Sequence, residues 1–209
     1  MKMTMLMVGA LAATLTTNPG APAPAGTLQE RNTVGGTWTA RLTPDVAEGP
    51  GRIKISRWDD DHSWNSEMDL SADVVRDILR QASEGNGDVR FTLRREAGTL
   101  NLEGRIRGSR GSGDFTFQED PAFRDRMASA GFRGLDDDEV FASALHGVGV
   151  AQAQELQSLG FDGLDFDDLM AAAIFEVDAA FGQEMRAAGL ARADIDDLVA
   201  MKIHGVTKA

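Results

Sequence analysis

The sequence predicts an α+β chain: a small antiparallel β-sheet with one covering helix, followed by three 29-residue helical-hairpin repeats. Three observations carry this. Short stretches between residues 37 and 117 alternate apolar with polar residues, the period-2 signature of a sheet with one wet face. Ser71–Leu79 instead groups Val74, Val75, Ile78 and Leu79 on one helical face. Beyond residue 119 the sequence repeats itself every 29 residues.

Residues 1–25 read as a signal peptide. Lys2 supplies a positive start, Met3–Leu15 is apolar apart from two threonines, and Ala23-Pro24-Ala25 has the small residues a signal peptidase reads, with cleavage expected after Ala25. No later stretch has the roughly 18 apolar residues that a membrane span requires. The expected product is therefore exported, periplasmic or extracellular, with no stable membrane span after processing.

Residues 26–118 form the predicted sheet domain. Five strands are expected, around 37–43, 52–58, 89–94, 98–104 and 113–117, in an antiparallel meander. Ser71 is placed to cap the helix between the second and third.

Residues 119–209 form the predicted helical domain, in repeats of about 121–149, 150–178 and 179–207. Gly131, Gly160 and Gly189 recur at the same spacing as Asp136, Asp165 and Asp194. In each unit the glycine stops a first helix and the aspartate opens a second. An acid three residues on (Glu139, Asp168, Asp197) completes a capping box. The outer two units end on His146-Gly147-Val148 and His204-Gly205-Val206, whereas the middle one reads Phe175-Glu176-Val177 and is expected to end differently.

The 209 residues carry 33 acids and 21 bases, a formal charge of −12. That balance disfavours a nucleic-acid partner, whose phosphates would be repelled. The charge is uneven: residues 119–209 hold 18 acids and 7 bases, against 15 and 13 in residues 26–118, so a basic partner would be steered to the helical half. With no cysteine there is no disulfide, thiolate nucleophile or cysteine zinc site.

The motifs favour no catalytic residue, metal or cofactor. The acid clusters at 136–139 and 162–168 lack the order of a calcium loop and fall at helix starts, where the macrodipole favours acids. His146 and His204 lie beside helix-ending glycines and suit the negative helix end. Gly111-Ser112-Gly113 is not a nucleophile elbow. Gly108–Gly113 sits between strands, so no phosphate cradle at a helix start is implied. The segment from Trp58 to Asn65 joins aromatics to polar groups in an expected loop, and Trp58, Asp60, His62 and Trp64 are the candidate binding residues.

The stretch Val89–Phe117, with Phe91-Thr92-Leu93, Ala97-Gly98-Thr99-Leu100, Glu103-Gly104 and Gly111–Phe117, resembles the extracytoplasmic C-terminal region of bacterial membrane metallopeptidases of the beta-lactam-sensor (BlaR/MecR) class. Leu198–Thr207 is similar to the helical repeats that follow such sheets, and the resemblance spans about residues 35–207. This chain has neither the membrane helices nor the zinc motif, so no peptidase residue carries over. The resemblance implies an exported recognition or sensory module. The expected function is thus a non-enzymatic interaction module for a protein or envelope component. The alternative is a small secreted hydrolase with an Asp/Glu/His site in the sheet loops.

Overall fold

The alternating stretches close into one six-stranded antiparallel sheet. Its strands are β1 (Thr33–Arg41), β2 (Arg52–Trp58), β3 (Ser63–Asp69), β4 (Asn86–Arg95), β5 (Gly98–Arg107) and β6 (Arg110–Glu119), in the order β3-β2-β1-β6-β5-β4. The computed structural model describes residues 33–42, 51–58, 63–82, 86–161, 163–190 and 192–206; the expected signal peptide lies outside them. Two three-stranded meanders meet where β1 pairs with β6, so the sheet is not the single meander expected. Strand β3 is the sixth and occupies part of the segment expected to be a loop.

Trp38 fixes the centre of the covered face. It is 1% exposed, meets Phe91 edge-on at 5.5 Å, and donates from Nε1 to the carbonyls of Glu103 and Asp114, both at 3.1 Å. The indole reaches those carbonyls because Gly104 and Gly113 face each other beneath it; a Cβ on Gly104 would fall 2.6 Å from the ring. The glycines of β5 and β6 thus serve close packing.

Among the described residues, seven helices complete the α+β fold. Helix α1 (Ala72–Gln81) is capped by Ser71, buries Val75 and Ile78, and packs on β4. The other six follow β6: α2 (Phe123–Ser129), α3 (Asp137–His146), α4 (Val150–Ser158), α5 (Phe166–Ile174), α6 (Ala179–Ala187) and α7 (Ile195–Ile203). Helix α3 also lies on the sheet, over β3, β4, β5 and β6, so the face expected to carry one helix is packed by two. From α3 the helices pass outward, α5 on α3, α7 on α5 and α6 on α4. Phe141 of α3 seats the array: it stacks on Phe115 at 5.7 Å and meets Phe117 and Trp64 at 5.3 and 5.2 Å. The composition changes where β6 ends, yet one apolar cluster runs from Trp38 to Leu198 across that boundary.

Helix α3 opens on Asp136, which accepts from Glu139 N at 2.8 Å and donates its own amide to Glu139 at 2.7 Å. Asp165 with Asp168, and Asp194 with Asp197, close the same box, the shorter aspartate reaching back to 2.9 and 3.3 Å. The first amides of α4 and α6 are met from a distance: Glu96 accepts from Val150 N at 2.6 Å, and Glu155 from Ala179 N at 3.0 Å. A carboxylate from the β4–β5 turn therefore satisfies the start of α4, which has no local side-chain cap, and one from α4 adds to the local cap of α6, where Asp178 accepts from Phe181 N at 2.7 Å.

Candidate functional site

Among the described residues, the helices cover one face of the sheet and none packs on the other. On that open face lie the outward residues of every strand, and the pairing register sorts them into rows. One row reads Lys54–Thr39–Ser112–Arg105 and ends in Glu67 at the β3 edge and Asp88 at the β4 edge. Another places Asp114 and Glu103 beside Arg90. In these rows outward cations face acids: Lys54 stands opposite Glu67, Arg105 pairs with Asp88 at 3.1 Å, and Arg90 with Glu103 at 2.7 Å. This is the opposite-charge pairing that stabilises a wet sheet face.

Two places depart from that rule: Glu103 stands opposite Asp114, and one row is basic across four strands. Arg52, Arg41, Arg110 and Arg107 stand opposite one another across β2, β1, β6 and β5, with Asp69 and Asn86 as the outer neighbours. All four are exposed. Arg52 reaches Asp69 at 3.3 Å in a pair whose side chains are 65% and 71% exposed, so water weakens it greatly. Among the described residues, Arg41, Arg107 and Arg110 have no ion pair. Adjacent strands lie about 4.8 Å apart, so four guanidinium groups are anchored across roughly 14 Å. Together with Lys54, Arg105, Thr39 and Ser112, and with Glu67 and Asp69 on the β3 side, they line a shallow depression of about 970 Å³. A protein of net charge −12 thus carries a dense positive patch on one face.

Of the four residues expected to bind, Trp64 is the one whose side chain is described. Trp64 belongs to β3, is half-buried, and packs on Phe141 beneath α3. Asp60 and His62 lie outside the described residues, as does the side chain of Trp58. Nearby, Arg57 is held under α3 by Asp138 at 2.5 Å, its guanidinium 5.7 Å from the centre of the Phe141 ring.

His146 does more than end a helix. Its Nε2 shares a 2.8 Å hydrogen bond with Ser66 Oγ on β3, and burial lowers its pKa from the ordinary 6.5. It borders a second depression of about 210 Å³ with Gln152, Glu155, Glu176 and Asp178. A serine hydrolase would require a carboxylate orienting the other ring nitrogen, and among the described residues no carboxylate hydrogen-bonds to His146. No three metal-ligating side chains converge among the described residues, and no helix there is long and apolar enough to cross a membrane.

Sequence reasoning missed the arginine row because no strand contains it. Strands β1, β2 and β6 each supply one arginine to the row's face and β5 two, the pattern of any solvated face, and only the β1–β6 pairing brings the four of the row together. No family model, curated protein or solved structure matches the chain.

Proposed function

We propose that the chain is an exported, non-enzymatic interaction module that takes an acidic ligand from its envelope surroundings on the open face of the sheet. The row Arg52–Arg41–Arg110–Arg107 carries this reading. Four like charges placed side by side oppose folding, and an anion bridging them reverses the sign of that term. In the same reading, residues 1–25 direct export, and the six C-terminal helices are three 29-residue hairpin units that brace the covered face. The extended outer surface of stacked units suits a second, basic partner, drawn by the −11 of residues 119–209.

Side-chain NMR of the full processed chain tests the arginine site. Citrate and inorganic phosphate are titrated separately at constant ionic strength while the arginine Nε–H signals are followed. Arg41, Arg52, Arg107 and Arg110 are expected to shift together and saturate, with Arg76 and Arg80 of α1 unmoved. If neither anion moves the row, the acidic-ligand reading is wrong.

A further inference from the structure

The same row also narrows the class of ligand, an inference that rests on the acidic-ligand reading above. Each guanidinium presents a planar fork of donors. A carboxylate has two oxygens and one charge, and one fork fills it. A terminal phosphoryl group has three oxygens and up to two charges, enough to bridge two forks anchored one strand apart. Four neighbouring arginines in a single row are therefore matched by a few phosphoryl groups held close together.

The surroundings of the row fix the size. Thr39 and Ser112 face each other beside Arg41 and Arg110 and can donate hydroxyls to phosphoryl oxygens at the centre. Acids close the patch on three sides: Asp69 and Glu67 at the β3 edge, Asp88 at the β4 edge, and Glu103 with Asp114 further along the strands. A long polyanion crossing the sheet would run into those carboxylates at both edges, whereas a ligand of about 15 Å or less stays within the positive field. We infer that the ligand is a compact oligophosphate, two or more phosphoryl groups close together, bridged between neighbouring arginines of the Arg52–Arg41–Arg110–Arg107 row. Such a group occurs free or on a lipid headgroup, and the chemistry recognised is the same.

Thermal unfolding of the full processed chain provides the test, with tripolyphosphate as probe and citrate as comparator at matched ionic strength. At a concentration one-hundred-fold above its Kd, tripolyphosphate should raise Tm by about 5–10 °C, and citrate by less than half as much. The R41Q/R110Q variant should lose the tripolyphosphate shift, while its own Tm without ligand, equal to or above that of the parent, shows that it folds. R52Q/R107Q should behave alike, and R76Q/R80Q should keep the full response. Co-sedimentation with phosphatidylcholine vesicles containing phosphatidylinositol 4,5-bisphosphate, whose headgroup carries two terminal phosphoryl groups, lost in R41Q/R110Q, assigns the phosphate to a lipid; a Tm response without co-sedimentation assigns it to a soluble compound. A citrate shift that matches tripolyphosphate and needs the row overturns the phosphate inference and leaves the acidic-ligand reading standing. A tripolyphosphate shift that survives in R41Q/R110Q overturns the site. No shift with either anion overturns both readings.

Discussion

Arg41 stands directly opposite Arg110 across the β1–β6 ladder, with Arg52 and Arg107 as the next neighbours on either side. The sheet would be more stable without this row. Replacing Arg41 by Gln removes two like-charge neighbours at once, and should stabilise the ligand-free chain by a few tenths to about 1 kcal/mol at low salt. At 1 M salt the Debye length shrinks to about 3 Å and the gain should largely vanish. Urea unfolding of parent and R41Q at the two ionic strengths checks this. Equal stabilities at low salt would mean that the row is not repulsive.

A second expectation concerns pH. Burial lowers the pKa of His146 in the folded state, while in the unfolded chain it stays near 6.5. As pH falls below that value the unfolded state takes up the proton first. Stability from this residue is therefore complete above about pH 6.5 and declines as pH falls toward the lower folded pKa. Denaturant midpoints of parent and H146Q between about pH 5 and 8 should diverge in slope, with the parent losing more toward acid. Parallel profiles would show that His146 does not carry this dependence.

The Ser66–His146 hydrogen bond also explains why one strand was not legible in the sequence. In β3 the inward positions are Trp64, Ser66 and Met68, and the serine interrupts the apolar alternation that marks the other strands. Its hydroxyl is acceptable there because a histidine 80 residues away meets it. The α1 cap, the capping boxes and the buried residues Met127, Leu156 and Met185 were readable, since each depends on neighbours within a few positions. The arginine row and the carboxylates of Glu96 and Glu155 at distant helix starts were not, because register and tertiary contact create them.

The three capping aspartates provide a graded comparison. Alanine at Asp136, Asp165 or Asp194 removes one acceptor and leaves the facing amide to water, at about 0.5–2 kcal/mol each. D136A should sit at the high end. Helix α3 is wedged on the sheet, and Arg124 ties its start to β6 by reaching Asp137 at 2.6 Å, Glu119 at 2.7 Å and the Leu135 carbonyl at 2.5 Å. Urea denaturation of the three single variants gives the order. Three unchanged midpoints would exclude any contribution from these caps.

Glu176 ends α5 where glycine ends α3. Its φ of 55° makes it the non-glycine residue with positive φ among those described, and the corresponding Gly147 and Gly205 have φ of 76° and 66°. An L-residue in this region carries a penalty of about 1–2 kcal/mol, which glycine escapes. Glycine also makes the unfolded chain more flexible, opposing the gain by about 0.4–1 kcal/mol. The net expectation for Glu176→Gly is a stabilisation of about 0.5–1 kcal/mol, or roughly 1–4 °C in Tm for a chain of this size. Charge must be separated from strain, because Glu176 shares its depression with Glu155 and Asp178. Glu176→Gln removes the charge and keeps the backbone penalty, so it should gain less than the glycine variant. Calorimetry of the two beside the parent decides the matter: a Gln variant as stable as the Gly variant would trace the gain to charge and overturn the strain argument.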